Sequence, residues 1–407
     1  MGYFKDYIKG LSWIGGLRFF TRIIAYLKTI ILARILVPEQ FGIFGIASLI
    51  LAFLETLTET GINVFFIQGE GKIKKYVNSA WIVSLVRGLA ISLLILLSSS
   101  YIANFFNSPE SLNIIRLIAL VPLIRGFINP AIVILKKDLL FKKEFIFRTS
   151  VFLIEGIVVI FLALTLKSAY SLVYGMIVGA FLEVILSFIF IKPLPKFSIE
   201  KEEVKKIIGR GKWVTLAQFS NLAFKEGDDV FVGRLLGTYA LGIYQMAYKL
   251  ATLPLTEVGE VVSEVTFPVY SKISGDIKRL KKAYFKVVAS VIVLILPIGV
   301  ILFFYPTQIV LVLLGEKWIG VANILKTLSL FGVLRAVDYT SLSLFLSIKK
   351  QEYVAVKNTV SFLIMIVLII PLIFKYGLVG AAYSAFAGLL FSLPFTVYFL
   401  FKVFKSK

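Results

Sequence analysis

The 407-residue chain contains no cysteine and no histidine. The first absence excludes disulfides, thiolate nucleophiles and thiolate-held metals. The second removes the imidazole base and the commonest zinc ligand. Charge is scarce as well: 16% of residues are Asp, Glu, Lys or Arg, against 59% hydrophobic. Acids are the scarcer sign, 23 against 44 lysines and arginines, which leaves a net charge of +21. Apolar runs fill the chain instead, and mean hydropathy is +0.92. A soluble core of this size could not hide so much apolar surface, and disorder is excluded by the same composition. A cation surplus in a soluble protein would suggest nucleic acid as a partner. In a chain this apolar, lysines and arginines mark cytoplasmic loops of a membrane protein, and no nucleic acid is expected.

A bilayer span takes about 20 apolar residues. The runs predict an all-α integral membrane protein of about twelve spans, near 10–34, 41–67, 79–104, 112–135, 147–166, 169–191, 212–234, 239–268, 284–304, 318–347, 354–374 and 377–401. The first is too long and too rich in arginine for a signal peptide. The loops alternate in charge. One side holds 29 of the 44 cations, among them Lys136, Lys137, Lys192, Lys196, Lys349, Lys350 and Lys357, and the other holds five. That asymmetry places both termini in the cytoplasm of a cell-membrane protein. Trp13, Trp81, Trp213 and Trp318 fall at span ends, where amphipathic rings are expected to anchor at the interface. The longest outward loop, Tyr305–Lys317, is apolar and reads as a surface helix. No external segment is large enough to house an enzyme.

The chain repeats itself at an offset of 200. In ARILVPEQFGIFGIA and GRLLGTYALGIYQMA, Arg34, Leu36, Gly42, Ile43 and Ala47 meet Arg234, Leu236, Gly242, Ile243 and Ala247. Six spans precede the charged stretch and six follow. The expected organisation is an N-terminal six-helix lobe over 1–195, a cytoplasmic linker over 196–211 and a C-terminal six-helix lobe over 212–407. Six is even, so the lobes share one orientation and form parallel repeats, an arrangement that places substrate between the repeats and works by rocking.

Ten cations and eleven acids fall inside the predicted spans. A charge at that depth costs several kcal/mol unless it faces a cavity or a partner. The charges are patterned on helical faces. Span 1 aligns Arg18, Thr21, Arg22 and Thr29, and span 2 aligns Ser48, Glu55, Glu59 and Asn63. Span 7 aligns Gln218, Asn221, Lys225, Asp228 and Asp229, and span 8 aligns Gln245, Lys249, Thr252, Thr256 and Glu260. These are the first two spans of each lobe, as a central hydrophilic cavity requires. The lobes differ in sign, with a balance of +2 in the first and −3 in the second. The first lobe is therefore read as holding an anionic group, most simply phosphate, which guanidinium matches in geometry. The second, acidic lobe is read as coupling transport to H⁺ or Na⁺. Structural ion pairs, such as Arg18 with Glu55, compete with this reading for any single residue. Two arginines one turn apart repel unless an anion lies between them, which favours function for Arg18 with Arg22. Arg87, Glu155 and Glu183 look isolated and structural, and the central part of span 11 looks uncharged. No metal-ligand or nucleophile–base constellation stands out, and the chain is expected to be no enzyme and to hold no cofactor beyond a coupling ion.

LARILVPEQFGIFGIA and IANFFNSPESLNIIRLIALVPLI (Ile102–Ile124) resemble the amino-terminal half of oligosaccharide flippases of the Wzx type. DDVFVGRLLGTYALGIYQMAYKLATLP (Asp228–Pro254) and IVLVLLGEKWIGVANILKTLSL (Ile309–Leu330) resemble the carboxy-terminal half. The family is a branch of the MOP superfamily, with the lipid II flippases and MATE drug exporters. The resemblance implies two six-helix lobes around a V-shaped cavity. It also implies alternating access that moves undecaprenyl-pyrophosphate-linked sugar repeat units to the outer leaflet. Arg18 and Arg22 occupy positions similar to first-helix arginines used by lipid II flippases. On this reading Arg18, Arg22, Arg116, Arg125, Lys225 and Lys249 engage the anionic headgroup, and Asp228, Asp229, Glu257 and Glu260 couple the ion. The expected partners are the bilayer, the lipid-linked oligosaccharide and polysaccharide polymerase machinery. The rival reading is a cation-coupled small-molecule exporter. A membrane-embedded sugar polymerase would need the large outer loop that the sequence lacks.

Overall fold

The computed structural model describes residues 20–58, 62, 66, 73–138 and 140–405, and for 74, 205–221 and 224 the backbone alone. Every element among the described residues is helical. Lipid offers the backbone no hydrogen bonds, so a spanning segment satisfies its own N–H and C=O groups by coiling. In chain order these are α1 (20–35), α2 (Pro38–Leu57), α3 (Ile73–Phe105) and α4 (Ser111–Arg125). Next come α5 (Pro130–Lys137), α6 (Phe141–Leu166), α7 (Tyr170–Phe190) and α8 (Lys201–Ile273). The chain ends with α9 (Ile277–Phe304), α10 (Pro306–Leu313), α11 (Gly320–Ser347), α12 (Gln351–Tyr376) and α13 (Leu378–Lys405).

Eight of these are long and apolar enough to cross a bilayer, and α4 with α5, bent by 74°, would make a ninth. The remaining predicted spans correspond to α1, whose expected first part lies outside the described residues, and to the two limbs of α8. Those limbs carry the polar stripes, which lowers their hydropathy. The predicted linker 196–211 is extended only to Glu200, and from Lys201 it is already helix.

The repeat is visible in the backbone. The first half breaks at Val37, which is extended with φ −93° and ψ 159°, and Pro38 then starts α2. Exactly 200 residues on, α8 breaks at Gly237, with φ 83° and ψ −178°. That conformation is open to glycine and strained for other residues. The break at Val37 is secured by Gln40, whose side chain accepts from the Val37 N–H at 3.3 Å and donates to the Lys167 carbonyl at 2.7 Å.

The chain divides into two compact units, Met1–Lys225 and Glu226–Lys407. In the first, α3 packs on α4, α6 on α7, and α2 on the start of α4. Gly88 on α3 and Gly126 after α4 set the closest approach: a Cβ on Gly88 would stand 2.4 Å from the Pro122 carbonyl oxygen. In the second unit α12 packs along α13 and α9 along α11. Tyr353 and Phe399 stack at 4.2 Å in its core. Trp81 and Trp318 are buried rather than placed at an interface. Trp81 donates its indole N–H to the Phe127 carbonyl at 3.0 Å, which gives the polar edge a partner without water. Trp13 and Trp213 lie outside the described side chains.

Candidate functional site

The helix break after α4 organises the first unit. Asn129 is fully buried and replaces the hydrogen bonds that the break removes. Its side chain accepts from the Ala131 N–H at 3.0 Å and donates to the Pro193 carbonyl at 3.0 Å, while its own N–H donates to the Ser187 hydroxyl at 3.0 Å. Just before the break stands Arg125. Its guanidinium lies 3.4 Å from Glu55 Oε1 on α2 and 3.7 Å from Glu183 Oε2 on α7. Arg87 on α3 donates to the Glu55 backbone carbonyl at 2.5 Å and to the Thr58 hydroxyl at 3.2 Å, satisfying acceptors at the end of α2. These four side chains line one cavity of about 450 Å³ within the unit. Glu183 and Arg87, isolated in sequence, thus meet Arg125 and Glu55, the four coming from four different helices. Glu55, which the competing ion-pair reading set against Arg18, lies beside Arg125, and Arg18 is outside the described residues.

The other predicted cations of this unit do not join that cavity. Arg18 lies outside the described residues. Arg22 on α1 is exposed. Arg116 is exposed and donates to the Ser99 hydroxyl at 3.4 Å. Nine residues of helix are two and a half turns, so Arg116 and Arg125 face opposite ways. Lys225 is exposed. Lys28, one of the span-1 charges, pairs with Glu155 at 3.0 Å, so Glu155 is not isolated either.

In the second unit the turn at Gly237 folds the two limbs of α8 back on each other. Asp229 and Gln245 each lie eight residues from Gly237 and therefore come level. Gln245 donates to Asp229 Oδ2 at 2.7 Å, and the Tyr244 hydroxyl donates to Asp228 Oδ2 at 2.8 Å. Both aspartates are buried. Lys249 is an electrostatic neighbour of Asp229. Glu257 and Glu260 sit elsewhere: fifteen residues of helix separate Gln245 from Glu260, about 22 Å along the axis. Glu260 shares the neighbourhood of Tyr339 and Arg335 on α11. The four acids predicted as one set therefore form two levels. Sequence reasoning missed Tyr244 and Gln245 as partners, although the equal spacing of Asp229 and Gln245 about Gly237 was a usable signal.

A second miss concerns Lys357. It was read as a loop cation at the cytoplasmic face, on a span without central charge. It is 3% exposed and its Nζ lies 2.5 Å from Asp338 Oδ2 on α11. A lysine within eight residues of Lys349 and Lys350 reads as loop charge, and only packing of α11 against α12 reveals the partner.

Among the described residues, no group of three or more acidic side chains is placed to hold a metal ion. Paired ionisable side chains, in apolar helical units that break at repeat-related positions, define the class: a multi-pass membrane protein whose fold is that of the following solved structures. The lipid II flippase MurJ in an inward closed conformation superposes with TM-score 0.74 at 19% identity, over 96% of this chain and 88% of that one. An inward-facing multidrug resistance MATE transporter superposes with TM-score 0.68 at 16% identity, over 95% and 96%. These likenesses establish the fold. The chain belongs to the polysaccharide biosynthesis protein family, which it matches over residues 31–323. Its relatives include an uncharacterized membrane protein in the cps region of Klebsiella pneumoniae, 25% identical over 92% of this chain and 78% of that one. Another is the lipopolysaccharide biosynthesis protein WzxC of Escherichia coli, 24% identical over 75% of this chain and 63% of that one. The teichuronic acid biosynthesis protein TuaB of Bacillus subtilis is 21% identical over 82% and 69%. Family and fold are thus established.

Proposed function

We propose that the protein moves undecaprenyl-pyrophosphate-linked oligosaccharide repeat units from the cytoplasmic to the outer leaflet of the cell membrane by alternating access. The observation that carries this reading is the match to the polysaccharide biosynthesis family in a chain with the fold of the lipid II flippase. Charge distribution supports it. The side with 29 cations is assigned to the cytoplasm, with both termini and the stretch 196–211. Arg18, Arg22, Arg116, Arg125, Lys225 and Lys249 are assigned to the pyrophosphate and acidic sugars at different points of the path rather than in one cavity, with guanidinium as the better match for phosphate. Asp228, Asp229, Glu257 and Glu260 are assigned to coupling H⁺ or Na⁺, in two levels. Polysaccharide polymerase machinery is the partner that would receive the cargo.

The test is reconstitution of the purified chain with a fluorescent undecaprenyl-pyrophosphate-linked oligosaccharide and a leaflet-access assay. Protein-dependent movement of the probe is expected. Movement no faster than in empty vesicles, under a proton or sodium gradient of either sign, would overturn the reading. In cells, Arg18→Ala with Arg22→Ala is expected to abolish surface polysaccharide in a complementation assay, and unchanged polysaccharide would remove those residues from the anion site. A second reading, a cation-coupled exporter of small molecules, is supported by the likeness to the MATE transporter. Dye efflux that depends on Asp228, without effect on glycan export, would favour it.

A further inference from the structure

Three intramembrane ion pairs of this chain differ in how firmly they are closed. Lys357–Asp338 at 2.5 Å and Lys28–Glu155 at 3.0 Å are at direct contact distance, and none of the four side chains is more than 21% exposed. Arg125 is different. Its distances of 3.4 and 3.7 Å exceed the roughly 2.7–2.9 Å of a strong charge-assisted hydrogen bond. Its side chain is 37% exposed, and it faces two carboxylates from separate helices, at contact with neither shorter than 3.4 Å. It is thus a cation held on both sides and gripped on neither. It borders a cavity of about 450 Å³, large enough for a phosphate-type group and its water. A second guanidinium, that of Arg87, lines the same cavity. The cavity also lies at the break between α4 and α5, and discontinuous helices are where transporters of this general build place their ligands.

We propose that this cavity is an oxyanion subsite, kept occupied by the protein's own carboxylates. Glu55 and Glu183 compete with the ligand for Arg125. A phosphate-type group displaces them and is held by Arg125, with Arg87 beside it. Displacement releases α2 and α7 from their shared contact, so arrival of the anion loosens a junction of three helices. Occupancy of the cavity is thereby linked to the freedom of those helices to move. The inference rests on the transport reading for its biological ligand, and its chemistry is tested apart from transport. The oxyanion has two sources, a lipid headgroup or a free anion, which the probes below separate.

The experiment is calorimetric titration of the full-length chain in detergent with inorganic pyrophosphate and, separately, with farnesyl pyrophosphate. Glu183→Gln and Glu55→Gln are each expected to tighten binding, by about fivefold, because each removes a competitor worth about 1 kcal/mol at partly exposed positions. Arg125→Gln is expected to weaken binding and, combined with Glu183→Gln, to erase the gain. Arg125→Lys keeps the charge and is expected to retain part of the affinity. A merely structural triad predicts the opposite sign, with the glutamine variants binding equally or more weakly. That outcome overturns the proposal, as does a gain that persists without Arg125 or an absence of binding to either probe. Binding of both probes alike assigns the site to a free anion's chemistry, and binding of the prenyl compound alone assigns it to a lipid headgroup. The vesicle transport assay is independent, so a flippase that moves its cargo without these calorimetric effects refutes the subsite and leaves the transport reading standing.

Discussion

Lys357→Met removes a charge that the bilayer-depth core cannot otherwise accommodate. Lys357 lies six residues into α12, about 9 Å along it, and Asp338 lies nine residues before the end of α11, about 14 Å along it. Lys357 is 3% exposed and Asp338 12%, so the pair is largely withdrawn from water and is screened less than a surface bridge would be. Beyond the lysine, Asp338 has a contact at 3.5 Å from the Ser341 hydroxyl, too long to replace an ammonium, and the Arg335 guanidinium as a further electrostatic neighbour. Deleting one partner of a buried pair costs about 3–5 kcal/mol when the other is left uncompensated, and the nearby Arg335 charge offsets part of that here. Methionine keeps most of the methylene volume, so cavity formation adds little. Replacing both groups, Lys357→Met with Asp338→Leu, removes the stranded charge and is expected to recover stability to within about 1 kcal/mol of the parent. The assay is unfolding in mixed micelles by titration with sodium dodecyl sulfate, followed by helicity, for the parent, both single variants and the double. A single variant within about 1 kcal/mol of the parent, or a double variant no better than the worse single, would refute a buried, mutually dependent pair.

Other perturbations follow from the same geometry. Gly88→Ala places a methyl 2.4 Å from the Pro122 carbonyl oxygen and 3.1 Å from Gly126 Cα, backbone atoms that cannot swing away. It is expected to cost about 1–3 kcal/mol in the same assay, while Gly156→Ala, with Lys28 Cδ at 3.5 Å, is expected to be nearly neutral. Tyr244→Phe removes the hydroxyl donated to buried Asp228 and is expected to cost about 1–3 kcal/mol; an unchanged midpoint would mean that another donor takes its place. Because the chain has no cysteine, an introduced one is its sole thiol. Lys317→Cys is expected to react with an impermeant maleimide in intact cells, and Lys196→Cys only after permeabilisation, with the reverse pattern overturning the assigned orientation.

The class of the protein was legible in composition, because lipid imposes one demand that a single sequence displays: apolar runs of span length that satisfy their own backbone. Charge asymmetry between loops and the 200-residue repeat were legible for a related reason, since each depends on residues read along one strand of text. The equivalent breaks at Val37 and Gly237 bear out that repeat. Pairing was not legible. Helical periodicity says which residues share a face, and it put Asp228 with Asp229 and Glu257 near Glu260 along α8. It does not say which neighbouring helix that face meets, at what height or at what tilt. Glu55, Arg87, Arg125 and Glu183 come from four helices over more than 120 residues, and no spacing rule connects them. Lys357 read as loop charge because it follows Lys349 and Lys350 by no more than eight residues, yet the packing of α11 on α12 buries it against Asp338. Sequence alone determined that this is a helical, duplicated membrane protein with charge it must shelter. Tertiary structure decided which charges shelter one another, because Coulomb energy at low dielectric depends on distance across helices, a quantity absent from the order of residues along one.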